Sequence, residues 1–186
     1  MVVSSSPLAG EWGLPPVPPN KPRRREAYRL DTRKITLIAI YAALYAALVA
    51  VFSPVSFYAL QLRVAGVVRP GIAKMRLLAV GYALGVIVGN LFSPFAGIYE
   101  LLFMPFMSLV AGLLGYEAAR MFKGNYFVCG AVIAVIIPLS VAWMLSQLFG
   151  LPLLATLPGL LVSEQVVNLV GAGIFRLVEK RVRWWE

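Results

Sequence analysis

One uncharged apolar run, Tyr126 to Phe149, constrains this chain more than any other feature. A helix crosses the ~30 Å hydrocarbon core of a bilayer with about 20 such residues. Four further runs repeat the pattern. Ile35–Phe52 is uncharged and stopped by Ser53-Pro54, and Leu77–Phe92 is stopped by the similar Ser93-Pro94. Ile98–Ala119 carries Glu100 near its start, and Leu153–Val178 carries Pro158 near its beginning and Glu164 inside. Gly150 and Pro152 close the Tyr126 run, as a helix end requires.

Composition agrees with a membrane domain. Hydrophobic residues make up 60% of the 186 and charged residues 13%, with a mean hydropathy of +0.82. Soluble domains carry about 45–50% apolar and about 25% charged residues. The net charge of +9 would elsewhere point to nucleic acid. Here the basic residues sit in short blocks between apolar runs, where the positive-inside rule explains them. With no histidine, imidazole catalysis and imidazole metal ligation are excluded, and we expect no cofactor and no metal. The lone Cys129 has no intramolecular disulfide partner.

Residues 1–34 are different material. Ser4, Ser5, Ser6 and the prolines between Pro7 and Pro22 cannot bury a core, which reads as a disordered, basic, cytoplasmic tail. It lacks the order of a secretory signal, since Arg23, Arg24, Arg25, Arg29, Arg33 and Lys34 follow the proline-rich part. Residues 35–180 read as one membrane domain, and 181–186 as a short cytoplasmic end.

Charge placement settles the number of spans. With five spans and the basic tail inside, Arg69, Lys74 and Arg76 fall on the outer side. If Tyr58–Val68 crosses as a short, protein-buried helix, those three return to the cytoplasm, with Arg120, Lys123, Arg176, Lys180, Arg181 and Arg183. Only Arg63 is then not cytoplasmic. The expectation is an all-α, six-transmembrane-helix bundle in the cell membrane, multi-pass, with both termini cytoplasmic.

Two spans carry small-residue stripes. Ala39, Ala42, Ala43, Ala46, Ala47 and Ala50 line the first, and Gly81, Gly85 and Gly89 form a double GxxxG in the third. Small residues let helix backbones approach closely in lipid, where apolarity gives no preference for protein over solvent. Spacing alone leaves two readings for each stripe: a seam inside the bundle or a face that docks another subunit.

Charges inside a membrane default to function with a named partner. Arg63, Glu100 and Glu164 qualify, all towards the outer half. Asn168 lies one turn beyond Glu164 on the same face. Trp143 and Gln147 share a face near the outer end of the fifth span, and Gln61 and Asn90 lie near that level. A structural reading pairs Arg63 with one of the two acids to orient the bundle. No HExxH, GxSxG, P-loop or metal-type acid cluster is present, so no enzyme is expected. No internal repeat of the kind that marks self-powered carriers stands out.

The stretch Leu60-Gln61-Leu62-Arg63-Val64, then Gly89-Asn90-Leu91-Phe92-Ser93-Pro94-Phe95 and the nearby Glu100, resembles the QueT-type queuosine-precursor transporters. Those are substrate-binding (S) components of energy-coupling factor (ECF) transporters, and the similarity spans roughly 35–180. The resemblance implies a six-helix bundle that captures its ligand from outside. It also implies a transmembrane coupling subunit and, through it, two ABC ATPases. The alanine-rich first span resembles the face with which S components meet that subunit. The chain departs from the family in placing Ala65-Gly66, without an acid, after Arg63-Val64, and Glu100 where an Asp is usual.

Such a ligand is a 7-deazaguanine precursor of queuosine or archaeosine, or a related small molecule; the adjacent N–H donors of a deazaguanine suit one buried carboxylate. Trp143 or Tyr99 would stack on its ring, with Glu164 expected to contact the ligand directly and Arg63 to donate to its carbonyl or hold an acid in place. The competing readings are a non-transport membrane scaffold or assembly subunit that uses only its Ala and Gly faces, and a self-sufficient carrier or channel.

Overall fold

The computed structural model describes residues 31–56 and 63–185. The tail expected at 1–34 lies almost entirely outside them, as does Gln61. The helices are α1 (Thr32–Val51), the single turn α2 (Ser53–Ser56), α3 (Leu78–Asn90), α4 (Met104–Met121), α5 (Tyr126–Phe149) and α6 (Leu153–Glu179). A 3₁₀ segment occupies Val64–Lys74, and a π turn, Tyr99–Phe103, runs directly into α4. No strand occurs among the described residues. Four spans are long and apolar enough to cross a membrane: α1, the π turn with α4, α5 and α6. The apolar α3 is shorter, and the 3₁₀ segment completes six helical passes.

Helix α5 is the spine. Of its most apolar window 61% is buried, against 22% for α1 and 17% for α6, whose outer faces are left to lipid. A helix that is apolar all round belongs in such a central place. Asn125 caps its start, with the side chain accepting from the Phe127 N–H at 2.9 Å, and Gly150 in the left-handed conformation (φ +65°) ends it.

The second pass is where sequence and structure differ. The crossing was expected over Tyr58–Val68, with Arg69 on an aqueous flank. Residues 58–62 of that stretch lie outside the described residues; Val64–Lys74 runs through the bundle, and Ala65, Gly66, Val68, Arg69, Pro70, Gly71, Ile72 and Ala73 are all buried. A 3₁₀ helix rises about 2.0 Å per residue, so eleven residues reach roughly 22 Å where an α-helix would reach roughly 16 Å. Pro70 withholds a backbone donor and two glycines weaken α geometry, which favours the stretched form. Arg69 is therefore 0% exposed and leaves the set of flanking cations that fixed the orientation.

The glycine series is an internal seam. A Cβ on Gly81 or Gly85 would lie 2.9 Å from the carbonyl oxygen of Ile38 or Ala42, and one on Gly89 would press on Val49. The glycines let α3 rest against the α1 backbone. The alanine stripe divides. Ala46 is buried and Ala42 and Ala50 partly so, whereas Ala39, Ala43 and Ala47 face outward.

Gly171 on α6 does for the 3₁₀ segment what those glycines do for α1. A Cβ there would collide with the Val67 carbonyl oxygen, while Gly173, two residues on, has open space. Gly171→Ala should therefore destabilise by about 1–3 kcal/mol through overpacking, despite the helix propensity gained. Gly173→Ala should be neutral or stabilising by about 0.5–1 kcal/mol. Thermal unfolding in detergent compares the two; equal melting temperatures would contradict the seam.

Candidate functional site

Two polar clusters sit inside the bundle. The first joins the middle of the 3₁₀ segment to the middle of α6. Arg69, from the 3₁₀ segment, forms a buried ion pair with Glu164 of α6 through Nη1 and Oε2. Asn168, one helical turn along α6, donates from Nδ2 to the Glu164 backbone carbonyl at 2.8 Å and to its carboxylate at 3.2 Å. Arg69 Nη2 donates to the Tyr45 hydroxyl at 3.4 Å, and its guanidinium carbon stands 5.4 Å from the centre of the Tyr82 ring. Two charges taken out of water need this degree of pairing to persist. Among the described residues, Arg69 Nε, Asn168 Oδ1, Tyr82 Oη and Ser108 Oγ still have no hydrogen-bond partner.

The second cluster lies at the end of the bundle where α3 stops. Arg63 donates from Nη2 to Asn90 Oδ1 at 3.2 Å, and Asn90 donates from Nδ2 to the Glu100 backbone carbonyl at 2.7 Å. Arg63, Asn90 and Glu100 are 7%, 0% and 4% exposed. One oxygen of the Glu100 carboxylate, Oε2, is buried without a hydrogen-bond partner among the described residues.

Local sequence explains how Glu100 comes to point inward. Pro105 has no N–H to give the Leu101 carbonyl, so the helix widens ahead of it and Met104 N–H bonds to Tyr99 O, five residues back. Such single π turns recur at functional sites. The connecting loop is held by Ser93, whose hydroxyl accepts from the Phe95 N–H at 3.1 Å. The Asn-Leu-Phe-Ser-Pro block thus supplies one site residue and one loop clamp.

Aromatic side chains gather beside the π turn. Trp143 of α5 meets Tyr99 edge-on at 6.0 Å and Phe103 at 4.8 Å between ring centres. An apolar hollow of about 410 Å³ lies next to them, lined by Ile98, Tyr99, Leu102, Phe103 and Phe106. Gln147 is exposed.

The residues expected to act together therefore separate into two sets. Glu164 and Asn168 are joined, but with Arg69 in the place proposed for Arg63. Arg63, Asn90 and Glu100 form the other set, with Tyr99 and Trp143 nearby. Gln61 lies outside the described residues. Sequence reasoning missed Arg69, Tyr45, Tyr82 and Ser108. A signal for Arg69 existed: it interrupts an otherwise apolar stretch from Val64 to Ala73.

Six helical passes, lipid-facing apolar flanks and buried charges define a multi-pass membrane protein with a polar interior. The model of the QueT transporter family matches residues 35–180, and the chain belongs to that family. It is a family of membrane transport proteins rather than of enzymes. No curated protein and no solved structure matches the chain.

The ion pair's weight can be measured. Removing one member of a buried pair strands the other, at about 3–5 kcal/mol. Arg69→Met and Glu164→Leu should each lower the melting temperature sharply, and the two together should recover most of the loss. A double variant as unstable as the sum of its singles would show that the two side chains act independently.

Proposed function

We propose that the chain is the substrate-binding S component of an ECF-type importer that captures a 7-deazaguanine precursor of queuosine or archaeosine. The ligand is held by Glu100, Asn90 and Arg63, with Tyr99 and Trp143 against its ring. The observation that carries this reading is the Glu100 carboxylate, 4% exposed with one oxygen lacking a donor among the described residues. A buried acceptor without a donor is costly, and the adjacent N–H groups of a guanine-like edge remove that cost. Glu164 is less suited to the same task, because Arg69 and Asn168 already engage its carboxylate. We assign it to fixing the bundle.

Stacking of the ring on Trp143 would add about 1–3 kcal/mol, the scale found for bases on aromatic side chains. Trp143 is 41% exposed before any ligand arrives, so area remains to be covered. Arg63, held by Asn90, presents a cation suited to the ligand's carbonyl.

Glu100→Gln keeps the shape but turns an acceptor oxygen into a donor facing donors. Binding of 7-deazaguanines to the purified protein, measured calorimetrically, should weaken by about 2–4 kcal/mol, roughly 30- to 1,000-fold. Unchanged affinity in a folded variant would reject the assignment.

The coupling subunit is assigned to the outward alanines of α1. Ala39, Ala43 and Ala47 repeat every four residues on one exposed strip, a surface that admits a second helix at close range. Ala43→Leu should leave ligand binding by the isolated chain intact and abolish ATP-driven uptake in cells carrying the partner subunits. Uptake at the normal rate would place the docking face elsewhere.

A further inference from the structure

At the end of the bundle opposite Glu100, where α4 stops and α5 starts, lies a cavity of about 270 Å³. Lys74, Lys123 and Arg176 line it together with the single carboxylate Glu179. Lys74 donates to Glu179 Oε1 at 2.8 Å, which neutralises that pair. Lys123 makes no ion pair among the described residues, and the Arg176 guanidinium carbon stands 6.0 Å from the Phe127 ring centre. The cavity therefore carries two cations beyond its own carboxylate. Its wall also includes Tyr126, 3% exposed, whose hydroxyl stands beside Trp184 and Glu179.

We propose that this cavity binds a phosphate-bearing anion, and specifically the headgroup of an acidic phospholipid. The chemistry is that of a phosphate oxygen facing a guanidinium, an ammonium and the amino end of a long helix. The lipid source follows from what surrounds the cavity. Tyr126, Phe175, Trp184 and Trp185 form a run of packed aromatic rings at this end, the usual furniture of a membrane–water boundary. Phe122 lines the cavity and is 61% exposed, and Met121 beside it is 82% exposed. Both offer apolar surface to the acyl chains of a lipid whose headgroup is held above. Basic hollows between transmembrane helices take anionic headgroups for these reasons.

The conformation of the rim fits a designed cation position. Lys123 has φ +58°, in the left-handed region that few side chains adopt, and Gly124 follows with φ +73°. The turn places the Lys123 stem on the cavity wall instead of continuing α4 into water.

The full-length chain is purified, exchanged into mixed phosphatidylcholine and phosphatidylglycerol, and retained lipid is counted by native mass spectrometry. Wild type should prefer phosphatidylglycerol by roughly 30-fold, the scale set by two cations near an anionic surface. Lys123→Asn with Arg176→Gln should bring the two lipids to near parity, and Lys123→Asn alone should fall between. Asn tolerates the left-handed turn, so the single variant keeps its fold. Arg181→Gln, at the same end but not on the wall, should leave the preference unchanged. Equal loss in Arg181→Gln would mean diffuse charge and would overturn the site. Absence of any preference in wild type would also overturn it. Full displacement of phosphatidylglycerol by excess inorganic phosphate would overturn the lipid assignment and make the occupant a soluble phosphate.

Discussion

The ion pair between Arg69 and Glu164 is the interaction on which the rest of the bundle depends. It ties the 3₁₀ segment, which could not cross lipid alone, to α6, the helix with the least buried surface among the long spans. A stretch carrying a guanidinium becomes tolerable in the membrane only when protein surrounds it. The surroundings are specific: Tyr45 from α1, Tyr82 from α3, Asn168 and Glu164 from α6. Once Arg69 is held, Tyr41 can donate to the Val68 carbonyl at 2.9 Å, closing α1 over the same segment. Gly171 and the α1–α3 glycine seam then set how closely the helices approach.

This arrangement divides labour between two polar layers. The central one is engaged within the protein and positions the helices. The layer at the α3 end has a buried carboxylate oxygen without a donor among the described residues, an amide that is fixed on both sides and an arginine leading into the 3₁₀ segment. Arg63 and Arg69 belong to one continuous segment, six residues apart.

Most of the fold was legible because membrane spans announce themselves by length and lack of charge. The run Tyr126–Phe149 matches α5 residue for residue, and the boundaries of α1, α3, α4 taken with its π turn, and α6 shift by only a few residues. The second pass was not, for a physical reason. Charge counting assumes that a cation near a span end lies in water, and a buried cation with a distant carboxylate violates it. Nothing local to Arg69 reveals that Glu164, 95 residues away, will meet it. The same limit applied to the candidate site: Asn90, Glu100 and Arg63 were found as intramembrane polar groups, whereas Tyr45 and Tyr82 sit in apolar spans where a tyrosine carries no signal of its own. The glycine series could be read as a close-packing surface but not assigned to a neighbour until α1 was in place.

The most direct test is a structure of the purified chain with a bound 7-deazaguanine. The ligand should lie between Asn90, Glu100 and Trp143, with both Glu100 oxygens accepting from its base edge and the Arg69–Glu164 pair undisturbed. A ligand found against Glu164, with Arg69 swung away from it, would contradict the division between a structural layer and a binding layer.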